Sequence, residues 1–463
     1  MATTTSLDQA ARSGLASGFG GELIPPGDPG YDEARSVYNA MIDRRPGLIA
    51  RCASTDDVAA AVEFGRREGV LISIRGGGHN AGGLGVCDDG LVIDLSPMRG
   101  IEVDPDARTV RVQGGATWGE VDRATHEHGL AVPSGIISTT GVGGLTLGGG
   151  IGHLSRKYGL GIDNLLAADL VLADGSTVTA SEDSNSDLFW AIRGGGGNFG
   201  VVTSFLFRGN PVHTVLAGPM FWSLEQSEEA LRFYDEFMAG APEDVNGFFA
   251  FLTVPPADPF PAELQMRKVC GVVWCCTGDL EEAEEALRPA REFGPPLMDG
   301  VQPVPFPAIQ SAFDALYPPG LQWYWKADFV DELPDAAVAA HAEHGARLPS
   351  MHSTMHMYPI DGAVHRKRED ETAFAYRNSR WAEVIVGVDP EPGNAAAITD
   401  WAKRYWDALH PHSAGGAYVN FLMHDEGRAR VEATYRGNYD RLVEVKRRYD
   451  PDNLFRVNQN IAP

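Results

Sequence analysis

Positive charge is scarce in this chain. Its 463 residues carry 38 Lys and Arg against 63 Asp and Glu, a formal net charge of −25 at pH 7. Such a surface repels nucleic acid and anionic membrane, so neither is an expected partner. Cysteine is scarce too. Cys52, Cys87, Cys270, Cys275 and Cys276 are the whole complement, odd in number and without a C-x-x-C pair. That spacing suggests neither a disulfide framework nor a zinc site. A run of ~18 apolar residues is missing, and the first residues lack the basic and apolar regions of a secretory signal. The expectation is a soluble protein of a reducing compartment, the cytoplasm.

Glycine, by contrast, is abundant. There are 54, concentrated between 75 and 200, where they build backbone loops rather than a packed interior. A chain of this length exceeds one ordinary core, so two domains or a large α/β unit are expected. Residues 46–52 read as a short strand, and Ser54-Thr55-Asp56-Asp57 has capping-box spacing for a helix that stops at Gly69. A second short strand, 70–74, completes a βαβ unit. It runs into Arg75-Gly76-Gly77-Gly78-His79-Asn80, a turn that fits either a cofactor loop or a surface loop with a solvated histidine. Runs at 101–103 and 109–112 form a hairpin, and Thr117-Trp118-Gly119-Glu120 caps a helix ending at Gly129.

Two further glycine clusters follow. The one at 134–152 lacks the Gly-Lys-Ser/Thr ending of a P-loop. Gly195-Gly196-Gly197-Asn198-Phe199-Gly200 matches G-x-G-x-x-G, but it follows a helix pattern at 186–192, whereas a dinucleotide fingerprint follows a strand. From about 212 the loops give way to acidic helices, at 226–240 and 278–293, and aromatic strands. In 322–329 one face carries Tyr324, Lys326 and Asp328, the other Trp323, Trp325 and Phe329. In 351–358 the even positions are His352, Thr354, His356 and Tyr358. Alternation of this kind marks a sheet with one packed and one polar face. His352 and His356 stand four apart, but on a strand and without a third ligand they are not expected to bind metal, and a polar face lining a substrate cavity is the better reading. The C-terminal run reads as helix, turn and a polar terminal strand.

Four blocks together carry a resemblance: Arg75 to Asn80; Thr140 to Gly150; Asp187 to Gly200; and Tyr418-Val419-Asn420-Phe421 with 450–455 and 458–461. In that order they resemble the berberine bridge enzyme-like family of the vanillyl-alcohol oxidase superfamily, from about residue 36 to the end. The resemblance implies an α+β fold: a two-lobed FAD-binding domain from residues 1–211, completed by 415–463, with an inserted antiparallel-sheet substrate domain, 212–414, flanked by helices. It assigns FAD contacts to Arg75, Gly76, Gly77, Gly78, His79, Asn80 and Gly83 in the first loop. In the second it assigns Ser138, Thr139, Thr140, Gly143, Gly144, Gly149 and Gly150. Gly200, Val201 and Val202 follow, then Tyr418, Asn420 and Asn458. His79 matches the histidine that the family links covalently to the flavin 8α-methyl group. The second link of many members, a cysteine, falls at Ile137 here, so a single link is expected. Thr140 matches the small residue near flavin C4a that influences oxygen access, which leaves oxidase and dehydrogenase both open.

The resemblance also implies the chemistry. Hydride leaves a small-molecule carbon bearing a hydroxyl or amine for flavin N5 while a base takes the proton, and oxygen or another acceptor closes the cycle. Tyr418 matches the family base. A phenol of pKa ~10 needs a partner to act so at neutral pH, for which Tyr358 and Lys326 are the candidates; Tyr324, His352, His356 and Tyr358 are the alternatives for the base itself. The alternatives are a flavin-dependent cyclase or isomerase on the same fold, and a binding protein without turnover.

Overall fold

The computed structural model describes Leu7 and residues 14–463. The apolar runs of the first half pair as three parallel strands, Leu48–Arg51, Leu91–Asp94 and Ile72–Arg75, with Glu22–Ile24 antiparallel on the outer edge. Thr55–Glu68 is the crossover helix. The Ser54 hydroxyl accepts the Asp57 N–H at its start, and Gly69 ends it in the left-handed region at φ 64°. A second sheet, fully antiparallel, orders Ile101–Asp104, Thr109–Gln113, Val201–Arg208, Leu165–Val171 and Thr177–Ser181.

From Thr214 onward one large antiparallel sheet takes over. Its order is Met298–Asp299, Thr214–Trp222, Lys268–Cys276, Val245–Thr253, Thr354–Pro359, Trp381–Asp389 and Gln322–Val330, with Gln302–Pro305 also on Thr214–Trp222. Side chains alternate across it. Phe249, Met355, Met357 and Ile385 pack one face under the helices Ser227–Gly240, Leu280–Glu292, Asp335–Gly345 and Ala395–Leu409. Phe248, Tyr358, Val384 and Val386 point the other way, into a core shared with the second sheet. Both faces are therefore covered.

Two local expectations need correction. The helix capped at Thr117 runs Trp118–His126 and stops short of Gly129, which closes the following turn at φ 67°. The chain's end forms no strand. The side chain of Asn198 fixes it instead, accepting the Ile461 N–H at 3.0 Å and donating to the Gln459 carbonyl at 3.2 Å. No helix among the described residues is long and apolar enough to cross a membrane.

Asp122, on the Trp118–His126 helix, is buried with one carboxylate oxygen unpartnered, and burial pushes its pKa up to about 7. An aspartate raised in the folded state stabilises the fold less and less as pH climbs from the usual carboxylate range to about 7. Asp122→Asn should thus gain on the order of 3 kcal/mol over wild type between pH 5 and pH 8. Thermal melts at the two pH values check it.

Candidate active site

Between the glycine loops and the large sheet lies a cavity of about 310 Å³, in the size range of ligand sites. Its floor is backbone. Gly77 and Gly141 sit against each other so closely that a Cβ on either would collide with the other's backbone. Gly144 and Gly197 are different: both line the cavity, and a Cβ on either meets no protein atom within 4 Å. What these two glycines leave room for is therefore not protein.

His79 closes the floor at the end of its turn. Its ring stacks on Tyr38 at 3.9 Å and 18°. Thr139 Oγ1 lies 3.0 Å from Nε2 and Thr140 Oγ1 lies 3.4 Å from Nδ1. Burial lowers its pKa to about 4, against an opposing hydrogen bond to Thr139, so the imidazole is neutral at physiological pH. The Arg75 guanidinium, by contrast, is committed. It donates to Asp94 at 2.6 Å and to the carbonyls of Ala34 and Ser36, so it shapes the loop from behind.

Tyr418 enters from the C-terminal segment. Its oxygen accepts the Gly150 N–H and the Asn420 side-chain amide, each at 2.8 Å. Asn420 is fixed in turn by the Leu145 carbonyl at 3.0 Å. Burial pushes the Tyr418 pKa up to about 12, outweighing these donors. Its own O–H has no protein acceptor among the described residues.

The large sheet supplies the roof. Cross-strand register puts Trp325, Val386 and Thr354 in one row and Val384 and His356 in the next, all lining the cavity. Tyr358 Oη and His356 Nδ1 lie 2.7 Å apart. Trp323, Tyr317 and Phe421 complete the wall.

Comparison with known proteins agrees with this geometry. The FAD binding domain family matches residues 46–181, and the berberine and berberine-like family matches residues 417–462. An FAD-linked oxidoreductase of Dictyostelium discoideum is 32% identical over 92% of this chain and 91% of its own length. The chain belongs to the berberine bridge enzyme-like FAD-linked oxidoreductases. A xylooligosaccharide oxidase of Thermothelomyces thermophilus is 30% identical over 92% of this chain and 89% of its own. The structure of 6-hydroxy-D-nicotine oxidase from Arthrobacter nicotinovorans matches with a TM-score of 0.84 at 27% identity, covering 97% of this chain and 99% of that one. The fold is that of the vanillyl-alcohol oxidase type, and the protein is an FAD-dependent oxidase or dehydrogenase.

The cavity fits the FAD of this family. Beyond the open space at Gly144 and Gly197, the Asn458 side-chain oxygen is buried without a donor at the cavity wall. Of the residues expected to touch FAD, Arg75 to Asn80, Thr140, Gly143, Gly144, Gly200, Val202, Tyr418, Asn420 and Asn458 line the cavity. Gly83, Ser138, Thr139, Gly149, Gly150 and Val201 stand behind the wall. Gly83 makes a turn at φ 71° against Ile42, and Ser138 donates to Asp314 at 2.5 Å. Thr139 holds His79, and Gly150 holds Tyr418. Gly149 backs Tyr418 at φ 144°, and Val201 belongs to the core around the crossover helix.

The expected partners of Tyr418 are a correction. Lys326 lies on the far face of the roof, paired with Glu426 at 2.9 Å and set over the Trp406 ring. Tyr324, beside it, donates to Asp425 at 3.0 Å. The aromatic face of that strand, with Trp323 and Trp325, is the one turned to the cavity, because the charged face finds its counter-ions beneath the Ala395–Leu409 helix. Tyr358 does line the cavity but pairs with His356, and His352 is outside the lining. The donors that do hold Tyr418 are a backbone N–H and an amide. Tyr38, the partner of His79, carried no signal in the sequence.

Proposed function

We propose that this enzyme oxidises a C–H bond next to a hydroxyl or amine of a small molecule, with FAD carried on His79 alone and Tyr418 taking the substrate proton. Bound FAD supplies the hydride acceptor, and oxygen or another acceptor completes the cycle. The observation that carries this reading is Tyr418: its oxygen is held by two donors while its own O–H is free in the cavity. Donors at the oxygen stabilise the phenolate, the form a base requires, although burial leaves only a small fraction ionised at neutral pH. Residues 1–211 and 415–463 would hold the cofactor and 212–414 would face the substrate. This division suits a floor built from 75–202 and 418–459 beneath a roof from 317–386. The five unpaired thiols suit a reducing compartment such as the cytoplasm.

Thr139 supports the attachment. Its hydroxyl, 3.0 Å from Nε2, is the nearer of the two that hold the imidazole ring in place, with Thr140 3.4 Å from Nδ1. Thr139→Val should lower covalent flavin several-fold while FAD still binds, read as acid-stable fluorescence per mole of protein.

Anaerobic screening of alcohols, sugars and hydroxylated amines tests the activity. A substrate should bleach the flavin, and colour should return with air. Failure of every class to bleach it would remove the oxidoreductive reading in favour of a cyclase, an isomerase or a binding protein.

A further inference from the structure

We infer that Asp122 is held protonated in the closed enzyme as one half of an acid–amide pair with Gln310, and that loss of this proton releases a latch on the cavity wall. Asp122 takes no part in the oxidation itself. Three observations converge on the latch.

The first is a pair of unmet acceptors. Asp122 and Gln310 are each 1% exposed. The Gln310 amide donates to Asp122 Oδ2 at 3.2 Å and to Ser134 Oγ at 2.8 Å. The other oxygen of each side chain, Asp122 Oδ1 and Gln310 Oε1, is buried without a hydrogen-bond partner. A carboxylate only accepts, so the ionised form leaves both oxygens unmet on two side chains already bonded to each other. One proton on Asp122 answers both, because the acid gains an O–H and the amide oxygen is the acceptor left over. Turning the amide over would set its oxygen against Asp122 Oδ2, a contact that itself needs a proton.

The second is the charge around the pair. Burial pushes the Asp122 pKa up to about 7, the Gln310 hydrogen bond and Arg123 oppose this, and Asp314 adds to it. Other charged groups of the Trp118–His126 helix and its neighbours are engaged or turned away. Glu120 pairs with Arg99 at 2.6 Å, and His126 stacks on His213 at 4.1 Å. Glu102 and Asp104 on the adjacent strand are exposed, and Leu130–Ala131 brings no charge.

The third is what Gln310 ties down. Further along the same stretch, Asp314 accepts the Ser138 N–H at 3.2 Å and its hydroxyl at 2.5 Å. Ser138 leads into Thr139 and Thr140, whose hydroxyls lie at the His79 ring nitrogens. Tyr317 lines the cavity, and its carbonyl accepts the hydroxyl of Tyr38, the ring stacked on His79. Residues 306–317 thus brace His79 from two sides, and the Asp122–Gln310 pair anchors them to the Trp118–His126 helix. The closed state binds the proton more tightly than the open one. The latch is therefore intact below about pH 7, and its opening rises about tenfold per pH unit above that.

The test is hydrogen exchange of segments 134–140 and 306–317 in the holoenzyme, with wild type and Asp122→Asn compared at the same pH so that the chemical rate cancels. The asparagine amide can donate to Gln310 Oε1 at every pH and so mimics the protonated acid. The two proteins should exchange alike at pH 6, and wild type about tenfold faster at pH 8. Equal exchange at both pH values would overturn the latch. Gln310→Met should exchange faster than Asp122→Asn already at pH 6; equal protection there would show that the amide is not the partner. Independently of any variant, the wild-type infrared spectrum should lose a protonated-carboxyl band between pH 6 and pH 8, and an unchanged spectrum would overturn the proton.

Discussion

Protein carrying His79→Ala should lose all acid-stable flavin, while wild-type protein stays yellow and fluorescent after denaturation. The imidazole of His79 is held by its turn, by the stack on Tyr38 and by the two threonine hydroxyls at its ring nitrogens, as the proposed attachment requires. Its low pKa keeps a lone pair available at neutral pH. A second link has no sulfur to use. Ile137 lines the cavity where the family's cysteine falls, and all five cysteines are buried outside the lining. In the wild type, the flavin mass should therefore appear on one peptide, the one containing His79. The alanine variant should still fold and bind FAD, because the glycine floor does not depend on the imidazole, but it should turn over more slowly. Flavin mass on any cysteine peptide would show the single-link reading to be wrong.

Tyr418→Phe should slow flavin reduction in a single anaerobic turnover by about 10²–10⁴-fold, the usual contribution of a positioned acid or base. Only one oxygen is removed, and the ring contacts with Phe374 and Phe421 remain, so fold and colour should persist. Gly150 and Asn420 would each lose an acceptor, a modest cost beside the kinetic one. Substrate binding should change far less than the rate, because the proton moves only as the reaction proceeds. A reduction rate within a few-fold of wild type would mean that Tyr418 only packs, and His356 with Tyr358 would be the next pair to test, since both line the cavity.

Much of the floor was legible in the sequence, because glycine loops and helix caps are local. Ser54 and Gly69 bound their helix as the spacing implies, and the three glycine clusters come together at one cavity. The roof was legible only in part. Alternation in 322–330 separates two faces but does not say which one meets the cavity. That is decided by partners a hundred residues away, Asp425 and Glu426, which draw Tyr324 and Lys326 to the helix side. Tyr38 meets His79 across 41 residues and Gly150 meets Tyr418 across 268, contacts that periodicity does not encode. The polar end of the chain reads as a strand by composition, yet the Asn198 side chain takes the Gln459 carbonyl and the Ile461 N–H instead, and none forms.

The most direct test of the account is the pH dependence of flavin reduction under anaerobic conditions, measured on wild type and Tyr418→Phe with one substrate. Tyr418 ionises only near 12, so each step upward in pH increases its phenolate form. The account predicts a wild-type rate rising about tenfold per pH unit from 6 to 10 without a plateau, and a slow, flat profile for the variant. Parallel profiles in the two proteins, whatever their absolute rates, would contradict it.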